Sequence, residues 1–129
     1  MNDGNVKDKP LVLLIEDEDV VATMTTAMLE ALGCAVTHCA TGAEARDVYT
    51  NMHEEIGLVI LDMVLPDSTG TEIYKDLVTI NSKVKCLVAS GYSQDETIQD
   101  LIDIGANGFI QKPFKLAQLS EKINQLLPQ

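Results

Sequence analysis

Five side chains suited to phosphate or metal chemistry stand just past strand-like segments. Glu16 and Asp17 follow Leu11 to Ile15, Asp62 follows Leu58 to Leu61, Ser90 follows Val84 to Ala89, and Lys112 lies just past Ala106 to Ile110. Carboxylates gathered around one pocket repel each other and lose solvation, and a hard divalent cation relieves both costs. Mg²⁺ takes few carboxylates, a carbonyl and retained waters, a role that suits Asp17 and Asp62. A carboxylate is also a nucleophile toward phosphorus, forming an acyl phosphate, when a metal and an ammonium group neutralise the transferring phosphoryl oxygens. Lys112 is the cation placed for that neutralisation. The Ser90 hydroxyl can donate to a phosphoryl oxygen, a bond that exists only after modification and so can draw its loop inward. For Asp62 alone a plainer reading stays open, that it caps its strand or the following turn, because Asp favours turns for its own hydrogen-bonding reasons.

Strands buried on both faces must hold these groups. Leu11 to Ile15 and Leu58 to Leu61 are unbroken aliphatic runs; the first stops at Glu16-Asp17-Glu18-Asp19, an acidic helix start, and the second runs into Asp62 and a turn bounded by Pro66 and Gly70. The helix after the first strand carries Val21, Met24, Met28 and Leu32 at spacings of three and four, read as core filling, with Gly33 as its stop. Ala35 to Cys39 is a second strand, less apolar and nearer an edge, and Thr41-Gly42 opens a helix with Ala45, Val48, Tyr49 and Met52 inward. A helix over about 70–79 sets Ile73, Leu77 and Ile80 on one face, and Asn81-Ser82 turns the chain into a fourth strand, Val84 to Ala89. A helix over 94–104 buries Ile98, Leu101 and Ile102 and ends at Gly105; a last strand, Ala106 to Ile110, precedes a helix with Leu116, Leu119, Ile123 and Leu126 inward. His38 and His53 lack companions at ligand spacing and read as structural or surface residues.

This alternation of five strands with five helices predicts a doubly wound parallel sheet with right-handed crossovers. The strand order expected is 2-1-3-4-5, the flavodoxin-like α/β arrangement, whose ligand crevice opens between the first and third strands. Those strands end at Glu16-Asp17 and at Asp62, so the candidates converge on one edge of the sheet.

Composition narrows the classes. A chain of 129 residues that is 46% hydrophobic makes one domain, here 11–127, with 1–10 as a polar tail or a linker remnant. A formal net charge of -11 argues against general affinity for nucleic-acid phosphates or anionic lipid and for cationic partner surfaces or metal ions. Cys34, Cys39 and Cys86 are odd in number and lack CxxC spacing, so neither a disulfide framework nor a zinc site is expected and a reducing cytoplasm is the simplest home. No apolar run approaches about 18 residues, and MNDGNVKDKP lacks the apolar core of a signal peptide, so a soluble, unexported chain is expected.

Four motifs in order, Leu-Leu-Ile-Glu-Asp-Glu, Leu-Asp-Met-Val-Leu-Pro, Val-Ala-Ser-Gly-Tyr and Gly-Phe-Ile-Gln-Lys-Pro-Phe, make the chain resemble the receiver domains of two-component response regulators over about residues 11–127. The resemblance implies that Asp62 accepts a phosphoryl group from the phosphohistidine of a histidine kinase or a histidine phosphotransfer domain. It implies that Asp17, Asp62 and the Val64 carbonyl bind Mg²⁺, with Glu16 helping through water, and that the Lys112–Pro113 bond is cis. It further implies a switch formed by Ser90 and Phe109, acting on a surface around the fourth helix, fifth strand and fifth helix. Phe109 stands where many relatives have Tyr, so no hydroxyl is available there to hydrogen-bond a partner or backbone group, and a plain core residue is the alternative reading. Val64 and Tyr92, bulky groups flanking the pocket, are expected to restrict the attacking water and slow acyl-phosphate hydrolysis.

Two other classes fit less well. An aspartyl-nucleophile phosphatase wants a general acid two residues after the nucleophile, where Val64 stands. A flavodoxin wants a hydroxyl- and Gly-rich phosphate loop after the first strand, where Glu16-Asp17-Glu18-Asp19 would repel phosphate. The reading is therefore a phosphoacceptor switch, monomeric or weakly dimeric, without direct DNA contact. With no effector segment after Gln129, its output is expected through protein contact, phosphate relay or a neighbouring domain. The Ser-Gly-Tyr and Gln-Lys-Pro-Phe wording is similar to receivers fused behind sensor histidine kinases.

Overall fold

The aliphatic runs do form the sheet. A computed structural model describes residues 9–91 and 96–127, with β1 (Leu11–Ile15), α1 (Asp19–Ala31), β2 (Ala35–Cys39), α2 (Gly42–Met52), β3 (Ile56–Asp62), α3 (Gly70–Ile80), β4 (Cys86–Ser90), α4 (Glu96–Asp103), β5 (Gly108–Gln111) and α5 (Leu116–Leu126) in succession. The strands pair in parallel in the order β2-β1-β3-β4-β5, as the alternation predicts. Because successive side chains of a strand point to opposite faces, the sheet builds two cores. Leu13, Ile15, Val59, Leu61 and Val88 face one way, onto Tyr49 of α2, Ile73 and Leu77 of α3, and Leu101 of α4. Val12, Leu14, Leu58, Ile60 and Leu87 face the other, onto Leu29 of α1 and Leu119 and Ile123 of α5. Each fully buried aliphatic side chain contributes roughly 1.5–3 kcal/mol, so the central strands β1, β3 and β4 anchor the fold.

Helix ends follow local chemistry. Thr41 caps α2 by accepting from Glu44 N (3.1 Å), and Thr69 with Glu72 forms a capping box on α3, the Thr69 hydroxyl accepting from Glu72 N (3.2 Å) and Glu72 Oε1 accepting from Thr69 N (3.0 Å). Gly33 and Gly105 follow α1 and α4 with φ of +91° and +127°, a region that favours glycine.

Several sequence expectations shift. The apolar stripe on α1 is not its core face: Ala22, Thr25 and Leu29 are buried, Met28 and Leu32 only pack against that cluster, and Met24 is 56% exposed. Small residues let the helix lie close to the sheet, which turns Val21 and Met24 toward an apolar groove shared with Pro113 and Phe114. Leu116, at the first turn of α5, is 44% exposed instead of inward. β4 and β5 each begin two residues later than expected, because Val84 sits in a turn closed by its own N–H donating to Asn81 O (3.1 Å), and Ala106 in one closed onto Leu101 O (2.9 Å). α4 ends at Asp103, and the expected start of its helix at 94 lies outside the described residues, as do residues 1–8 of the expected tail. Among the described residues no helix is long and apolar enough to cross a membrane.

Candidate functional site

Strand register brings the candidate residues together. Ile15 pairs with Leu61, Asp62 with Ala89, and Ser90 with Gln111, so Glu16, Asp62, Ser90 and Lys112 stand side by side at the carboxyl edge of adjacent strands. The main chain ties this edge: Glu16 N donates to Cys39 O (2.9 Å), Met63 N to Ala89 O (3.3 Å) and Lys112 N to Ser90 O (2.7 Å). The Lys112–Pro113 bond is cis, as the resemblance implies.

Lys112 bridges two acids. Its Nζ donates to Glu16 Oε1 at 2.9 Å and to Asp62 Oδ1 at 3.2 Å, making ion pairs across β1, β3 and the end of β5. Glu16 is 2% exposed, Ser90 4% and Asp62 7%, whereas Asp17 lies open to solvent. The other oxygen of Glu16 accepts from Glu18 N (3.2 Å), so both of its oxygens are engaged within the protein. Asp17 and Asp62, with Val64, Ser90 and Lys112, line an open cleft of about 580 Å³.

Burial pushes the Asp62 carboxyl up to about 6; the Lys112 charge pulls against this and the Glu16 charge adds to it. Burial alone would lower Lys112, but its hydrogen bond to Glu16 and the charges of Asp62 and Glu16 carry it above the ordinary lysine range. Glu16, Asp17 and Asp62 each offer an oxygen, all within 4.8 Å of one another. Three carboxylates against one ammonium leave two uncompensated negative charges when all are ionised, and a hard divalent cation fits that donor set.

Phe109 is half-buried on β5 and packs against the core on the α2, α3 and α4 side. Val64, 67% exposed, stands at the cleft mouth in a two-residue bridge with Thr69. Tyr92 lies outside the described residues. His38, read from the sequence as a structural or surface residue, has a structural contact: its ring donates from Nε2 to the main-chain oxygen of Glu16 (2.6 Å), pinning the end of β1. No local pattern announces that contact, since the partners are 22 residues apart and meet only because β1 and β2 pair in register.

A flavodoxin-like sheet whose switch point holds an acid cluster bridged by a lysine places the protein among doubly wound α/β domains built for phosphoryl or metal chemistry. The family described as response regulator receiver domain matches residues 12–124, and the chain belongs to that family. It is 32% identical over 116 residues to the sensor kinase CckA of Brucella abortus, covering 90% of this chain and 12% of that one. To the sporulation initiation phosphotransferase F of Bacillus subtilis it is 26% identical over 117 residues, covering 91% of this chain and 93% of that one. The receiver domain of a Pseudomonas aeruginosa sensor histidine kinase, solved with a magnesium ion coordinated in its active-site cleft, superposes with a TM-score of 0.84 at 24% identity over 94% of this chain and 99% of that one, a likeness of fold. The chain is thus a phosphoacceptor domain of two-component signal transduction, and receiver domains act generally as switches.

Proposed function

We propose that Asp62 is the phosphoacceptor. The observation that carries the reading is the Lys112 ammonium held between Glu16 and Asp62 at the switch point, with Asp17 opposite and Ser90 beside it. An Asp62 oxygen attacks phosphorus of a phosphohistidine; the new O–P bond forms as the N–P bond breaks, and the histidine nitrogen leaves with the electron pair. Asp62 works as the carboxylate, so its elevated pKa makes acceptance fall off in mild acid. Lys112 stays charged throughout and stabilises the phosphoryl oxygens.

Asp17, Asp62 and the Val64 carbonyl would hold Mg²⁺, with Glu16 acting through water; when bound, the ion neutralises phosphoryl charge in the transfer. Buried Glu16, already bonded to Lys112 and Glu18 N, suits such an indirect role. After transfer Ser90 donates to a phosphoryl oxygen and Phe109 follows it inward, reshaping the surface of α4, β5 and α5 for a protein partner. Self-dephosphorylation is slow because the Val64 side chain stands at the cleft mouth. The receiver spans 11–127, with 1–10 a tail or linker, and works in the cytoplasm as a monomer or weak dimer with a histidine kinase or histidine phosphotransfer domain as donor. The likeness to a sensor kinase of which the chain spans 12% supports a place within a hybrid kinase.

Intact mass after incubation with a small phosphodonor and Mg²⁺, with and without chelator, tests donor, metal and site together. A metal-dependent, base-labile gain of one phosphoryl group in the wild type, absent in Asp62→Asn, is expected. An equal gain in Asp62→Asn would overturn the assignment.

A further inference from the structure

The loop after β3 is closed on itself. Leu65 N donates to Ser68 O (3.2 Å), Gly70 N donates to Met63 O (2.9 Å), and Val64 bridges Thr69. Those bonds fix the loop's shape but not its place relative to the β1 acids. A second set of contacts does that. The Asp67 carboxylate accepts from Gly42 N (2.8 Å) and Ala43 N (3.0 Å), the first two amides of α2, while the Thr41 cap takes Glu44 N. One turn along α2, Arg46 donates from Nη2 to Ser68 Oγ (2.9 Å) and pairs through Nε with Asp76 of α3. The approach is close: a Cβ on Gly42 would stand 2.5 Å from Ile73 Cδ1 and 3.0 Å from Ser68 Oγ, so those side chains would have to shift to admit one. The start of α2 is itself set by the end of β2, which Glu16 N fastens to β1 through Cys39 O. A continuous path of short bonds therefore runs from Glu16 through β2 and α2 to Asp67 and Val64, without passing through Asp62.

We propose that Asp67 is a positioning residue for phosphoryl acceptance, fastening the Val64 loop to the start of α2 and so setting the Val64 carbonyl against Asp17 across the cleft. The inference rests on the assignment of Val64 and Asp17 as metal ligands. Outer partners that orient ligands typically cost about 10- to 100-fold in metal affinity or activity when removed; a residue that only fastens the Val64 loop acts on the affinity. Asp67 uses both oxygens and its charge at a helix N-terminus, so Asn, with one acceptor oxygen and no charge, is an intermediate substitute.

The test measures Mg²⁺ affinity directly by isothermal titration calorimetry, and beside it the initial rate of mass gain from a small phosphodonor across a Mg²⁺ titration, for wild type, Asp67→Ala, Asp67→Asn and Asp62→Asn. Asn81→Ala is the control; Asn81 bonds Tyr49 and Lys83 at the far end of α3, and its loss of thermal stability is matched by temperature to that of Asp67→Ala. The Mg²⁺ dissociation constant and half-saturating Mg²⁺ are expected to rise about 10-fold in Asp67→Ala, less in Asp67→Asn, and to stay unchanged in Asn81→Ala, with the rate at saturating Mg²⁺ within about twofold of wild type in these three variants and no mass gain in Asp62→Asn. An unchanged Mg²⁺ requirement in Asp67→Ala, or an equal rise in Asn81→Ala, overturns the proposal and leaves the phosphoacceptor assignment standing. Mass gain in Asp62→Asn, or a wild type indifferent to Mg²⁺, would instead bring down the reading on which it rests.

Discussion

Replacing Asp62 with Asn is expected to raise the stability of the unphosphorylated, metal-free protein at neutral pH. The folded state pushes this carboxyl from 3.8 up to about 6, chiefly by burial and against the pull of Lys112. A raised folded-state pKa means the fold prefers the protonated acid. The stabilising contribution is complete below the unfolded value, is lost as pH rises through about 6, and at neutral pH the ionised group costs the folded state. A shift of roughly 2 units at 1.36 kcal/mol each sets an upper bound of about 3 kcal/mol. The pull of Lys112 is already within that shift, and Glu16 at 2.9 Å retains the ammonium once Asp62 is replaced. A net gain of about 1–3 kcal/mol follows, or roughly 4–12 °C in Tm for a domain of this size. Urea and thermal melts of wild type and Asp62→Asn, with chelator, across about pH 4 to 8 measure it. The two proteins should converge near pH 4 and separate through pH 6. Added Mg²⁺ should then stabilise the wild type more than the variant, since the ion binds the folded carboxylate. A variant less stable than wild type at neutral pH, or an offset that does not change with pH, would refute the burial argument.

Lys112→Ala leaves Glu16 and Asp62 buried without a cation, and urea unfolding at neutral pH should show a loss of about 3–5 kcal/mol that shrinks in acid as the carboxyls protonate. Gly70→Ala would set a Cβ 2.8 Å from Met63 Sδ and 2.9 Å from Met63 Cα. Because one of those atoms is backbone, the loop itself must move; a cost of roughly 1–3 kcal/mol in denaturant melts is expected, together with slower phosphoryl uptake by intact mass. Burial holds the Cys39 thiol up at about 11 and Cys86 at about 12, and raises Cys34 as well. A colorimetric thiol reagent at neutral pH should therefore leave all three cysteines unmodified in the native protein and react with each in denaturant.

What the sequence made legible is what local chemistry determines. An aliphatic run that ends abruptly in a carboxylate reads as a strand buried to its last residue, and Ile15-Glu16 and Leu61-Asp62 behave so. Gly33 and Gly105 mark helix ends because their φ values favour glycine. Hydrophobicity alone does not separate a strand from a buried turn, which is why Val84 and Ala106 read as strand starts although their amides close turns. Size misleads on α1 for a related reason: helix and sheet approach closely where side chains are small, so Ala22 and Thr25 take the inner face and Met24 the outer. The long-range contacts that fasten the strand ends and the loop after β3 had no signature at all. His38 reaches Glu16 across 22 residues and Asp67 reaches Gly42 across 25, contacts created by strand register and helix placement. The candidate site residues can therefore be read from strand ends, whereas the spacing among them depends on bonds that exist only once the sheet has closed.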